Sequence, residues 1–192
     1  MKRKSSFLVM MVLLISWLLP ANVLTVYGEE FLPLGEKILF QDFEDGDTGN
    51  WTAKPWGDGG EIGIYDWGDN KSLVLSDRSS SESQPFLNIT NLMKSGKKYN
   101  MSMKLRLEEG TGEYHITAKV ASEEEENYIW IVGNREVTSE DWTVFEFKNY
   151  EVPMNTTEFL IWIEPGEGTD VGDVIPDIYI DDVEIVEVQE VT

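Results

Sequence analysis

Apolar and polar residues alternate one by one through most of this chain. Tyr99, Met101, Met103, Leu105 and Leu107 are interleaved with Asn100, Ser102, Lys104 and Arg106. Tyr114, Ile116, Ala118 and Val120 are interleaved with His115, Thr117 and Lys119, and Thr143, Phe145 and Phe147 with Val144 and Glu146. Phe159, Ile161 and Ile163 alternate with Leu160, Trp162 and Glu164, and Ile178, Ile180 and Val183 belong to a last such run. A period of two predicts strands with one face turned to a core. Turn residues separate the runs: Lys94-Ser95-Gly96-Lys97, Glu109-Gly110-Thr111-Gly112, Val152-Pro153-Met154-Asn155 and Pro165-Gly166-Glu167-Gly168. No stretch carries the spacing of an amphipathic helix. Eight or so short strands in one domain predict an all-β, two-sheet β-sandwich, a jelly roll.

The first 28 residues break this pattern. Lys2, Arg3 and Lys4 precede an apolar run from Phe7 to Leu19, and Val26-Tyr27-Gly28 supplies small residues for cleavage. This reads as a secretory signal peptide, because the run is short for a membrane span and Pro20 follows it. The domain organisation expected is a signal at 1–28, a lead-in at 29–37, one sandwich domain at 38–186 and a tail at 187–192. The expected location is outside the cell, with no membrane attachment after cleavage. The whole chain carries a net charge of −21 in 192 residues, and removing the basic signal makes the remainder more acidic. Such a surface repels nucleic acid and suits a neutral ligand. There is no cysteine and a single histidine, His115. That excludes disulfides, thiol nucleophiles and thiolate zinc sites, so an exported domain of this size needs a good core or a metal.

The aromatic residues fall on the unexpected side of the alternation. With Phe159, Ile161 and Ile163 turned inward, Trp162 and Glu164 lie on the opposite face. With Ile129 and Ile131 inward, Tyr128 and Trp130 do the same. Indole and phenol rings beside a carboxylate suit carbohydrate, whose C–H faces stack on aromatics while its hydroxyls bond to carboxylates. Burial of both faces is the competing reading, since large aromatics are mostly buried. Trp51 follows the opening strand and a turn and reads as core. Trp56 is placed to rim a cleft, and Lys54 to donate to sugar hydroxyls or to stand solvated on the surface.

Carboxylates interrupt the two ends of the pattern. Phe40-Gln41-Asp42-Phe43-Glu44-Asp45-Gly46 stands near the start and Ile178-Tyr179-Ile180-Asp181-Asp182-Val183 near the end. Chain ends of a compact β-domain lie close together, so Asp42, Glu44, Asp181 and Asp182 are placed to share one hard cation, Ca2+, through oxygen ligands.

These segments, in order, resemble the family 22 carbohydrate-binding modules, the xylan-binding domains of secreted xylanases. The resemblance runs from about Ile38 to Val186. It is carried by Phe43-Glu44-Asp45-Gly46 with Trp51, Lys71-Ser72-Leu73-Val74-Leu75, Arg78, Leu87-Asn88-Ile89-Thr90, Ser95-Gly96-Lys97-Lys98-Tyr99, Trp142, Ile161-Trp162-Ile163-Glu164 and Ile178 to Val183. It implies a jelly roll with a structural Ca2+, Glu44 and Asp181 as side-chain ligands, and backbone carbonyls from Asp42 and Lys71. It implies a cleft built from Lys54, where the family usually has arginine, with Tyr128, Trp162 and Glu164. One departure stands out: the loop from Arg78 to Pro85 lacks the family's tryptophan, and Glu82 falls about where it is expected.

The function expected is a monomeric, non-catalytic module that binds a β-linked plant polysaccharide, xylan or mixed-linkage glucan, beside a catalytic glycoside hydrolase partner or domain. Two alternatives remain open. A small jelly-roll glycoside hydrolase or lyase needs two carboxylates roughly 5–10 Å apart, and Glu146 is the nearest candidate partner for Glu164. A cell-surface adhesion sandwich needs no glycan.

Overall fold

The computed structural model describes residues 35–166 and 175–189, all within one compact unit spanning 32–192. The predicted signal peptide lies outside the described residues. Among the described residues every regular element is a strand, and no helix is long and apolar enough to cross a membrane.

Eleven strands form two antiparallel sheets. They are β1 (Lys37–Gln41), β2 (Trp51–Ala53), β3 (Glu61–Asp66), β4 (Lys71–Ser76), β5 (Pro85–Asn88), β6 (Lys98–Leu107), β7 (Thr111–Ala121), β8 (Glu126–Thr138), β9 (Thr143–Glu151), β10 (Glu158–Pro165) and β11 (Ile178–Glu187). One sheet runs β3-β4-β11-β6-β9, with β1 also paired to β11; the other runs β2-β5-β10-β7-β8. The jelly-roll sandwich anticipated from the alternation is the fold of the chain.

The core lies between the sheets and is built from the apolar faces read in the sequence. Tyr99, Met101, Met103, Leu105 and Leu107 of β6 pack with Phe159, Ile161 and Ile163 of β10, and Trp51 joins them. The alternation of β6 is complete over ten residues, each inward residue buried and each outward one partly exposed. Such a face removes most of its apolar area from water, at about 25 cal/mol per Å².

β11 holds the two chain ends together. Its first half pairs β4 through Ile178–Leu75 and Ile180–Leu73, and its second half pairs β1 through Val183–Gln41 and Ile185–Leu39. The change of partner coincides with a bulge between Asp181 and Glu184 on the β6 side. Asp182 sits in that bulge with φ at 46°, a left-handed conformation that a non-glycine residue adopts at a cost. The acidic segments read at the two ends of the pattern therefore meet on one side of the same sheet.

Candidate functional site

Strand register gathers the outward side chains of the five-stranded sheet into rows. Trp130 lies opposite Thr117, Thr117 opposite Trp162, Trp162 opposite Phe86 and Phe86 opposite Thr52, so one row crosses all five strands. The next row pairs Glu164 with His115. Phe86, Leu160 and Trp162 form a small apolar cluster separate from the main core.

Trp162 is the floor of this arrangement. Only 3% of it is exposed, because other rings stand around it. Trp56, in the turn after β2, meets it edge-on at 5.8 Å between centroids and meets Phe86 at 5.3 Å. Tyr128 meets it at 6.1 Å and 67°. The surrounding rings are open: Trp56 is 55% exposed, Tyr128 59% and Trp130 56%. Aromatic rings with free faces around a buried ring make a groove with stacking walls.

A fixed carboxylate adjoins the floor. The Trp162 indole Nε1 donates to Glu164 Oε1 at 2.6 Å, the Thr117 hydroxyl donates to Oε2 at 2.5 Å, and His115 Nε2 lies 2.9 Å from Oε2. Burial by itself would raise the pKa of Glu164. The bonds from Thr117, Trp162 and His115 more than offset that, so the carboxyl titrates below its ordinary value of 4.5. Glu164 is thus an ionised acceptor near neutral pH, unsuited to giving up a proton as a general acid. Tyr128 donates from its hydroxyl to Glu126 at 2.6 Å, which raises the phenol pKa and keeps it protonated.

Lys54 lies at the other end of the groove, and it is neither solvated nor free. It is 5% exposed, its ammonium donates to Gln84 Oε1 at 2.5 Å and Glu82 Oε2 at 2.9 Å, and it stands 5.7 Å from the Trp162 ring centre. The backbone around it is tightly fitted: Lys54 N–H donates to the Gln84 carbonyl, and Gly57 N–H to that of Lys54. A Cβ on Gly57 would stand 2.2 Å from the Glu82 carbonyl oxygen, so only glycine lets the Trp56 turn lie against the Glu82 loop. Arg78 anchors the same loop by donating to the carbonyls of Ser83 and Pro176. Glu82, at the place where a tryptophan was anticipated, thus serves as the counter-ion of Lys54.

Of the six groove residues read from sequence, five form one connected set. Trp56, Tyr128 and Lys54 reach Trp162, and Trp162 reaches Glu164. Trp130 joins through His115, its ring 4.4 Å away and tilted by 37°. His115, Thr117, Phe86 and Gln84 were not among the candidates. Alternation already placed His115 and Thr117 outward, but only register puts them against Glu164. Glu146, the candidate partner of Glu164 in a hydrolase, is on β9 in the other sheet and pairs with Lys148 at 3.5 Å. These two carboxylates cannot flank one sugar bond. A concavity of about 590 Å³ between the β7–β8 turn and the β9–β10 loop is lined by Glu123, Glu124, Glu125 and Met154; it holds no aromatic ring to stack on.

The acidic segments at the chain ends converge on the start of β4. Glu44 Oε1 accepts from Lys71 N–H at 2.8 Å, and Lys71 Nζ donates to the Glu44 carbonyl at 3.0 Å. Asp181 Oδ2 accepts from the neighbouring Asn70 Nδ2 at 3.0 Å. Asp181 is buried, and burial raises its pKa above the ordinary 3.8. Asp182 turns instead to Lys104, with which it forms an ion pair. Asp42 Oδ1 accepts the Glu44 N–H at 3.3 Å. No cluster of three or more metal-ligating side chains occurs among the described residues. Asp181 and Glu44, held by the adjacent residues Asn70 and Lys71, are oxygen donors of the kind that Ca2+ takes.

A sandwich with aromatic walls and a fixed acceptor on one outer face defines a protein of the sugar-binding class. The chain belongs to the carbohydrate binding domain family, whose model matches residues 35–170. No curated relative matches it. Among solved structures, the CBM22-1 xylan-binding domain of Paenibacillus barcinonensis Xyn10C is 18% identical with a TM-score of 0.68, covering 82% of this chain and 98% of that one. The CBM22-2 xylan-binding domain of the same protein is 21% identical with a TM-score of 0.64, covering 78% and 99%. The CBM22-1–GH10 modules of Clostridium thermocellum Xyn10B, solved with xylohexaose, are 20% identical with a TM-score of 0.64, covering 79% of this chain and 28% of that one. The resemblance to family 22 modules is thus borne out in the fold.

Proposed function

We propose that this chain is an exported, non-catalytic module that holds a neutral β-linked plant polysaccharide, xylan or mixed-linkage glucan, in the groove above Trp162. The observation that carries this reading is the pair of open rings, Trp56 and Tyr128, against a buried tryptophan bonded to an ionised Glu164, with open Trp130 over the adjoining His115. Sugar rings stack against the walls, and a hydroxyl donates to the carboxylate. A neutral ligand is favoured because the groove's cations are already matched: Lys54 by Glu82, and Lys119 by Glu126 and Glu158. An acidic glycan would meet net negative charge.

Binding of this kind raises the local concentration of a catalytic partner at its substrate. The xylan-binding modules of similar fold include one solved together with a GH10 module, and we assign this chain an analogous place beside a glycoside hydrolase, as a monomer. The secretory signal read at 1–28 supports export. We also propose a structural Ca2+ held by Asp181 and Glu44, with carbonyls of Asp42 and Lys71, that would tie β1, β4 and β11 together and neutralise the buried Asp181.

Isothermal titration with xylohexaose, mixed-linkage glucan oligosaccharides and insoluble xylan tests the ligand. Binding to one of them that is lost in Trp162→Ala, with the circular dichroism spectrum intact, supports the reading. No binding to any β-glycan by the folded protein defeats it.

A further inference from the structure

We propose that His115 is a positioning residue for Glu164, holding the carboxylate so that its one free hydrogen-bonding position faces a sugar hydroxyl. This rests on the reading of the groove as a glycan site.

A carboxylate offers about four lone-pair positions. Trp162 takes one on Oε1, and Thr117 and His115 take two on Oε2. One position on Oε1 is left for a ligand. The three protein donors thus fix the carboxylate in place and leave it a single hydrogen bond to offer.

The proton on His115 can be placed from these contacts. Ionised Glu164 only accepts, so the imidazole must donate from Nε2. Nδ1 then carries a lone pair. It is buried and has no hydrogen-bond partner, in a residue only 4% exposed. A second proton would have to go to Nδ1, creating a buried N–H with nothing to accept it. Turning the ring to relieve Nδ1 would break the bond to Glu164 and disturb the Trp130 ring lying over it. The neutral ring with its proton on Nε2 is therefore the form that holds Glu164 in place.

The charged groups around His115 are few. Glu164 on β10 faces it directly. On β8 Trp130 covers the ring, and Arg135 stands opposite Tyr114 in register. On β7 itself, Glu113 accepts a bond from Asn134, and Lys119 is held by Glu126 and Glu158. The direct coupling is therefore between His115 and Glu164.

Because His115 is the only histidine, its ring resonances need no assignment. Nitrogen NMR of the ligand-free protein at neutral pH should report a proton on Nε2 and a bare Nδ1. The indole Nε1–H resonance of Trp162 should shift in His115→Ala and return toward its wild-type position in His115→Gln, whose amide nitrogen reaches where Nε2 stood. Titration with xylohexaose at neutral pH should give affinity about three- to tenfold weaker in His115→Ala than in the wild type, the worth of one hydrogen bond. His115→Gln should regain much of the wild-type affinity. A proton on Nδ1, wild-type affinity in His115→Ala, or no recovery in His115→Gln would each overturn the proposal. If no glycan binds, the groove reading fails by itself; the role of His115 is then decided by the ligand-free spectra, which overturn it if Trp162 Nε1–H is unmoved in His115→Ala.

Discussion

Replacing Glu164 by glutamine removes one charge and one acceptor oxygen where three donors converge. The remaining oxygen is needed by Trp162 Nε1, which can only donate. The new amide NH2 then faces Thr117 and His115. Thr117 can rotate its hydroxyl and accept. His115 can accept at Nε2 only by moving its proton to Nδ1, where it has no partner. Charge-assisted bonds become neutral ones, and one buried donor is left unsatisfied; relief of the buried charge offsets part of this. The net cost is about 1–3 kcal/mol. For a domain of this size each kcal/mol lowers the melting temperature by about 2–4 °C, so Glu164→Gln should melt roughly 3–10 °C lower at pH 7. The pH dependence has a definite sign. Interactions with Glu164 hold its folded pKa below the ordinary 4.5, so its contribution is present above the unfolded pKa and is lost as pH falls through the folded one. Urea unfolding followed by tryptophan fluorescence at pH 7 and pH 3 measures both effects. The difference between wild type and Glu164→Gln should narrow in acid. Equal stabilities at pH 7, or a difference that widens in acid, would refute the reasoning.

Four further outcomes are expected. Without metal, buried Asp181 has a raised pKa, so it favours the fold when protonated, below the unfolded pKa, and loses that contribution as pH rises through its folded value. Asp181→Asn should therefore raise the melting temperature in EDTA at neutral pH and abolish the gain that Ca2+ gives the wild type; a Ca2+ response kept in this variant would rule out the proposed ligand set. Trp56→Ala should weaken xylohexaose binding by about two- to tenfold, the worth of one aromatic contact. Trp142→Ala, in the ring cluster with Trp67 that lies with Tyr65 and Tyr179 of the other sheet, should leave xylohexaose binding unchanged in the same isothermal titration. Glu82→Trp should tighten binding by roughly fivefold through an added stacking face, while lowering the melting temperature because Lys54 keeps only Gln84 as a partner.

What could be read from the sequence, and what could not, divides along a physical line. Alternation is a property of one strand. It correctly sets Phe159, Ile161 and Ile163 inward and Trp162 and Glu164 outward, because each residue's face depends only on its neighbours in the chain. A groove is a property of rows across strands, and rows depend on register. Trp162 stands beside Phe86 and Thr117 because β10 pairs with β5 and β7, pairings that local periodicity does not encode. This is why His115 and Thr117 were visible as outward residues yet not as partners of Glu164.

The same line explains the two tryptophans and the lysine. An outward position does not make a side chain exposed. Trp162 is outward and buried, because a turn more than a hundred residues earlier brings Trp56 over its edge. Trp130, at an equivalent outward position on edge strand β8, has no such cover on its outer side and remains open. Lys54 follows the same rule for charge. Its place after β2 leaves open whether it meets water or protein, and Gln84 and Glu82, thirty and twenty-eight residues on, decide it. A buried ammonium needs those partners, since an unpaired charge in that position would be costly. The residue that replaces an anticipated stacking ring with a carboxylate thereby also holds Lys54 in place, so the loop's departure from the family pattern changes the electrostatics of the groove as well as its shape.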